Sequence, residues 1–544
     1  MVAIAHVMQI QVVNEELNKG SLDNLVKEKR GSLILPLFIE SIKFEYMKYI
    51  SLNPEYVLKP DKGRALILTK DVLRTELPVV ESVIHPIHAM ILSFFDGTKT
   101  IEETVSQIIT KLEIEKELII RFITPIIEND HTIGVNITEN DIIVFPIKTL
   151  IYSDMPILRE KYDYSLFYYD NLNLRTDRHF TPSRITFMAT TRCYTNCIYC
   201  YANRRTDISP LPFDRVRDII QEAKELRVVS FDVIGGEFFL YKYWKEMLQL
   251  LLLHNYTPFI STKVPISRKD IEFLKQIGVK DIQVSLDTLI PEHSVKLLSV
   301  KESYINGIKE TLRLLCSYGI EVQIHTILTS INSTINDMDS IYRFISNLDY
   351  IRSWKIDVAA STLYKSESSY INIKSERDDL RLLVDYFESL KKANPKIKII
   401  SGDIDIDNNP NPNELSSSQK LAFFSHKRDI FCAANYSSLF ILPDGKVTIC
   451  EELYWNPQFI IGDCKENKIS EIWNSSIAKS LYYLSLEQIQ EKSPCKKCSI
   501  FTKCRQEYGG VCWREVIKAY GNENWDYPDP RCPKAESVTK KIYI

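Results

Sequence analysis

Thr190-Thr191-Arg192-Cys193-Tyr194-Thr195-Asn196-Cys197-Ile198-Tyr199-Cys200 is the stretch that decides the fold. It follows Arg184–Ala189, an apolar segment that predicts a strand. Three thiols at C-x3-C-x2-C spacing therefore occupy the loop at that strand's C-terminal end. Further strands are predicted at Val229–Ile234, Thr257–Thr262, Asp281–Leu286, Glu321–Leu328 and Trp354–Ala359. Helices are predicted between them at Asp214–Leu226, Trp244–His254, Lys269–Gln276, Tyr304–Tyr318 and Asn336–Leu348. Repeated strand–helix alternation means a parallel sheet with right-handed crossovers. Over residues 181–400 it predicts an α/β fold, a partial (β/α)6 TIM-type barrel. Active sites in such barrels lie where these thiols fall.

Three thiolates leave one iron of a 4Fe–4S cluster without a protein ligand, and an open iron can bind a small molecule. The rival, structural zinc, wants four ligands in a closed site. No fourth Cys or His stands near Cys193, Cys197 and Cys200 in the sequence. The segment resembles the radical S-adenosylmethionine (SAM) superfamily. That resemblance implies a cluster that chelates SAM and releases a 5′-deoxyadenosyl radical. It places Tyr199 against adenine and makes Gly235-Gly236-Glu237 the element that meets the SAM amino group, its glycines letting backbone approach the ligand. Ser261, Thr262, Ser285 and Asp287, at the ends of the third and fourth strands, resemble the positions around the ribose. Polar residues there also commonly cap the next helix.

Of the 12 cysteines, eight lie between Cys432 and Cys532. The strand–turn–strand Leu439–Cys450 with its Asp444-Gly445 turn, the Cys495-x2-Cys498-x5-Cys504 run, then Cys512 and Cys532 resemble a SPASM domain over 431–544. Ile461-Gly462-Asp463 and Ile472-Trp473-Asn474 fit the same family. The resemblance implies two auxiliary 4Fe–4S clusters, making three in all. Cys432, Cys450 and Cys512 would hold the first, and Cys495, Cys498, Cys504 and Cys532 the second. Either Cys464 completes the first set or one iron stays open. Seven residues separate Cys504 from Cys512 where the family commonly has three; Gly509-Gly510 supports the alignment. A four-cysteine zinc ribbon is the alternative for Cys495–Cys532. Cys316, isolated in a helix, reads as core. Glu451, beside Cys450, is a candidate proton acceptor; the competing reading is a solvated surface glutamate.

Residues 1–50 form an N-terminal extension without a motif. In 51–135, strands at Tyr56–Lys59 and Ala65–Thr69 flank Pro60-Asp61-Lys62-Gly63. A helix starts near Pro86 and ends at Asp96-Gly97-Thr98. A second is capped by Thr100 with Glu103 and faces Ile101, Val105, Ile108 and Ile109 inward. A third covers Glu115–Asn129. This order predicts a winged-helix-like unit. The phrases Leu58–Ala65 and Ile87–Gln107 resemble the peptide chaperone of pyrroloquinoline quinone biosynthesis and related RiPP recognition elements. That implies a domain that takes a leader peptide as an added strand, near Val79–Val83. Residues 136–180 and 401–430 read as linkers.

The 544 residues carry a net charge of −3, which argues against nucleic acid and anionic membranes. The Glu115–Asn129 helix is not basic, so the winged unit is no DNA reader. No apolar run matches a membrane span, and no secretory signal is evident. A cytoplasmic location, with reduced thiols, is expected. Together the resemblances imply a radical SAM/SPASM maturase of ribosomally made peptides, forming a thioether or carbon–carbon crosslink. Its partners would be a precursor peptide with its leader and a reductant protein such as flavodoxin or ferredoxin. The alternative is an anaerobic sulfatase-type maturase that oxidises a Cys or Ser of a protein.

Overall fold

The computed structural model describes residues 48–136, 142–393, 396–401, 404, 416, 418–420, 432–507 and 511–535. The chain divides into two compact units, Met1–Phe180 and Thr181–Ile544.

In the first unit, β1 (Tyr49–Leu52) opens the described chain. β2 (Tyr56–Asp61), β3 (Arg64–Thr69) and β4 (Glu81–Ile84) form an antiparallel sheet in that order. Lys62 and Gly63, both at positive φ, close the β2–β3 turn. α1 (Pro86–Leu92) leads into β5 (Asp96–Thr100), which pairs with β1. The Asp96-Gly97-Thr98 turn expected to end a helix is thus part of a strand. α2 (Ile101–Leu112) starts on the expected box: Thr100 N donates to Glu103 Oε2 at 2.9 Å, and Glu103 N to Thr100 Oγ1 at 3.3 Å. α3 covers only Lys116–Ile123, shorter than expected. Pro125 lacks an amide hydrogen, and the chain tightens there into a 3-10 turn.

The 136–180 linker reading is corrected. β6 (Ile133–Asn136) pairs with β7 (Ile142–Phe145), and β8 (Leu150–Ser153) pairs with β1. Phe145, Leu150 and Phe167 are fully buried in the unit's core. Short apolar runs inside a Tyr- and Asp-rich stretch find strand partners that composition does not show. Buried Arg64 ties down the segment's end, pairing with Asp61 at 2.7 Å and donating to the carbonyls of Asp177 and Arg178 at 2.9 Å. The 1–50 extension lies almost wholly outside the described residues; its last two residues begin β1.

The second unit begins with β9 (Arg184–Met188), α4 (Phe213–Glu225), β10 (Ser230–Ile234) and α5 (Trp244–Leu253). It continues through β11 (Ser261–Thr262), α6 (Arg268–Gln276), β12 (Asp281–Ser285), α7 (Pro291–Leu298) and α8 (Tyr304–Ser317). β13 (Glu321–Leu328), α9 (Ile335–Ile345) and β14 (Ile351–Val358) follow. After them come α10 (Glu367–Ile371), α11 (Arg377–Ala393) and β15 (Lys398–Ile400). β9 pairs with β10, and β11 through β15 pair in sequence, all in parallel. These are the strands of the α/β barrel, hydrogen-bonded in two sheets, β9–β10 belonging to one and β11–β15 forming the other. The strand expected at Thr257–Thr262 shrinks to two residues. Pro258 has no amide to give a ladder, and Phe259 N instead reaches the Asp232 side chain at 3.0 Å.

The C-terminal part builds onto this sheet. β16 (Ser438–Ile441) lies parallel to β9, on the side away from β10. β17 (Lys446–Thr448) and β18 (Ile460–Asp463) extend it antiparallel. α12 (Ile469–Trp473), α13 (Ser476–Tyr482) and α14 (Trp513–Tyr520) follow. Most of the 401–430 linker lies outside the described residues, as does Gly509-Gly510.

In the first unit, His88 on α1 is fully buried, stacked on Phe122 with ring centroids 4.5 Å apart. Neither of its ring nitrogens has a hydrogen-bond partner among the described residues. Burial, with His85 nearby, pushes its pKa down to about 3; burial pushes His85 down to about 4. Both folded values lie below the ordinary 6.5, so the neutral rings favour the fold at neutral pH. That stability drains as pH falls from about 6.5 towards these values. His88→Leu should therefore raise the unit's thermal midpoint more at pH 5 than at pH 7. Equal shifts at both pH values would show that His88 does not limit acid stability.

Candidate active site at the barrel mouth

The cysteine loop runs from the C-terminal end of β9. Thr195 Oγ1 lies 3.5 Å from Cys193 Sγ and 3.2 Å from Cys197 Sγ, so one hydroxyl bridges two of the three sulfurs. Lys365, between β14 and α10, donates its ammonium to the carbonyls of Cys197 at 2.9 Å and Ile198 at 2.5 Å. Sequence reasoning missed Lys365, which is 165 or more residues from its partners along the chain.

Gly235-Gly236, which lines the cavity, also packs against the cysteine loop. Gly236 N donates to Thr190 O at 2.7 Å, and Glu237 N to Arg192 O at 2.8 Å. A Cβ on Gly236 would sit 2.4 Å from Arg192 O and 2.6 Å from Thr191 O. The glycines admit the cysteine loop's own backbone. The Glu237 carboxylate is buried and already accepts from Thr262 Oγ1 at 3.0 Å and from Lys263 N at 3.1 Å. Burial is the largest influence on its pKa and raises it.

Lys263 is a second residue missed in the sequence. Its ammonium lies 2.7 Å from Asp287 Oδ2 and 2.5 Å from the Tyr199 hydroxyl, and Tyr199 also donates to Asp287. Asp287 Oδ1 accepts from Ile327 N at 3.0 Å. Ser261 Oγ accepts from Gln283 at 2.8 Å, and Ser285 lines the same cavity. That cavity, about 500 Å³, gathers Cys193, Cys197, Cys200, Tyr199, Gly235, Gly236, Glu237, Ser261, Thr262 and Ser285. Its one histidine, His325, is tied to Asp357 at 2.8 Å.

The C-terminal part closes one side of this cavity with Glu452, Arg514 and Lys518. Arg514 pairs with Glu452 and, at 2.7 Å, with Glu515. Glu451 is half-buried beside them, not a solvated surface residue; burial and Glu452 raise its carboxyl pKa. Cys432 and Cys512 lie close enough to Cys450 to act on its thiol electrostatically. Cys495, Cys498, Cys504 and Cys532 line one cavity of about 330 Å³. Cys464 stands apart. It is fully buried in the barrel core, its electrostatic neighbours are Arg215, Glu222 and Asp463, and burial pushes its thiol up to about 12. Cys316 is core, as expected.

The donor set fits iron–sulfur clusters. Every described cysteine is a free thiol, and the first three line a cavity of ligand size. Residues 188–345 match the model of the radical SAM superfamily, and 432–499 match that of the SPASM iron–sulfur cluster-binding domain. The chain carries a radical SAM domain and a SPASM domain. The SPASM match ends before Cys504, Cys512 and Cys532. Streptococcus suis SuiB bound to S-adenosylmethionine superposes with a TM-score of 0.56 at 15% identity, covering 90% of this chain and 99% of SuiB. SuiB bound to its precursor peptide SuiA gives 0.55 at 16% identity, covering 88% and 98%. These likenesses show a shared fold. Curated relatives are GTP 3′,8-cyclases. That of Nautilia profundicola is 23% identical over 211 residues, 37% of this chain and 62% of its own length. That of Campylobacter lari is 25% identical over 201 residues, 34% and 56%. The chain thus spans 62% and 56% of the lengths of these two. No described helix is long and apolar enough to cross a membrane.

Gly236→Ala should lower the rate of SAM cleavage about 10²-fold, as expected of a misplacement near 1 Å. The far-UV circular dichroism should not change. A wild-type cleavage rate in this variant would show that the glycine contact does not set the loop.

Proposed function

We propose that this chain is a radical SAM maturase that crosslinks a ribosomally made precursor peptide, through a thioether or a carbon–carbon bond. The observation that carries this reading is the shape of the barrel mouth. Its cavity is walled on one side by SPASM residues, and through Ser361, Thr362 and Lys518 it is continuous with a second cleft of about 540 Å³. Asn203, Ser366, Asn456 and Asn522 line that cleft with amides and a hydroxyl suited to peptide backbone.

Cys193, Cys197 and Cys200 would hold the SAM cluster, which when bound supplies a carbon radical that takes a hydrogen atom from the substrate. The chain's own residues prepare the site. Lys365 holds the cysteine loop by two carbonyls. Glu237 fixes the end of β11, and so aims Lys263. Lys263 and Asp287 hold the Tyr199 ring in place beside the cavity. Arg514 fixes Glu452 at the SPASM wall. Cys432, Cys450 and Cys512 would hold one auxiliary cluster with an open iron, and Cys495, Cys498, Cys504 and Cys532 the other. A flavodoxin- or ferredoxin-like protein would supply electrons.

The first unit would hold the leader. β4 pairs only with β3 among the described strands, and neighbouring Val79 is exposed. Such an edge can accept one more strand by main-chain hydrogen bonds. SuiB, of similar fold, has a structure with its precursor peptide.

Anaerobic co-expression with the short peptide encoded beside the gene tests the proposal by intact mass. A loss of two hydrogens per event is expected, abolished by Cys193→Ala, with fragmentation locating the bond. Unchanged peptide mass from an enzyme that still cleaves SAM would sink it and favour the sulfatase-type maturase.

A further inference from the structure

Arg505 is 8% exposed, and its hydrogen-bond partners among the described residues include no carboxylate. Its Nη2 lies 3.5 Å from Cys495 Sγ and 3.5 Å from the carbonyls of Asp526 and Tyr527. Its Nη1 is buried with no hydrogen-bond partner among the described residues. The Phe501 and Trp513 rings lie 5.5 and 5.1 Å from the guanidinium carbon. An isolated buried charge is unfavourable by several kcal/mol unless an opposite charge and hydrogen bonds compensate it. Carbonyls and ring faces compensate only partly. The nearby Asp526 carboxylate is occupied by Gln490, whose N and Nε2 donate to it at 2.6 and 3.0 Å.

The location identifies the missing anion. Arg505 lines the 330 Å³ cavity with Cys495, Cys498, Cys504 and Cys532. It also lines a smaller cavity with Trp513 and with Cys432 of the first auxiliary set, so one side chain borders a cavity from each set. Thiolate-ligated clusters are anionic, and their potentials respond to nearby charge and to hydrogen bonds on sulfur. A guanidinium presents five donors in a fixed fork, enough to serve both sides.

We propose that Arg505 is the shared counter-charge of the two auxiliary clusters, holding both at higher reduction potential than their cysteines alone would. It is a positioning and tuning residue, not a catalytic one. A cation between two electron acceptors favours the reduced form of each, which suits clusters that take up the electron left after crosslink formation. The inference rests on the auxiliary-cluster reading above.

The test uses the full chain carrying Cys193→Ala, Cys197→Ala and Cys200→Ala, so that only auxiliary clusters are reconstituted. Iron per chain is measured first, then midpoint potentials by redox titration with electron paramagnetic resonance. Arg505→Gln should retain the iron and lower both midpoints by at least the one-electron equivalent of a tenfold change, 59 mV. Arg505→Lys, which keeps the charge, should recover most of the shift. Iron lost in Arg505→Gln but retained in Arg505→Lys would also support a needed counter-charge. Midpoints unchanged in Arg505→Gln at full iron, or equal effects of both substitutions, would overturn the proposal. Zinc in place of iron in the parent chain would overturn the cluster reading itself, and the tuning role with it.

Discussion

β9 is the element on which the second unit depends. It is hydrogen-bonded in parallel on both sides, to β10 from the barrel and to β16 from the cysteine-rich part. Its C-terminal end emits the Cys193–Cys200 loop. One strand therefore joins the barrel sheet to the SPASM hairpin in a single five-stranded sheet. The SPASM wall of the active cavity follows from this pairing, because the chain leaving β17 brings Glu452 to that cavity.

The cysteine loop is braced from three directions. Backbone amides of Gly236 and Glu237 hold its start, Thr195 bridges its sulfurs, and the Lys365 ammonium caps its carbonyls. Around it the ionisable groups are paired: Lys263 with Asp287, His325 with Asp357, Arg514 with Glu452 and Glu515. Pairing lets charges sit in a cavity with little reorganisation when a ligand arrives. Lys365 and Arg505 instead have backbone carbonyls as their oxygen partners among the described residues.

The barrel was legible because its apolar runs are long and bounded. Glu321–Leu328 has the predicted ends to the residue, and Arg184–Met188 differs by one. Short runs were not. Ile142–Phe145 and Leu150–Ser153 carry too few residues to show a period, and only their pairing with β6 and β1 makes them strands. The third helix failed at Pro125 because an apolar spacing continued through a residue that cannot extend the backbone hydrogen bonding.

What the sequence determined alone was the chemistry of the donors. Thiol number, spacing and position after a strand depend on neighbours within a dozen residues, and local order specifies them. Which thiols meet was only partly local. Cys495, Cys498 and Cys504 are neighbours by spacing, but Cys532 comes to line the same cavity, and Cys432 and Cys512 come within electrostatic reach of Cys450, through the fold. Cys464 shows the limit: its position in the chain suits a ligand, yet the β18 hairpin turns it into the barrel core. Lys263, Lys365 and Arg505 were decided by tertiary structure for the same reason. A cation's role depends on which charges surround it, and the chain order of a long loop carries no record of that.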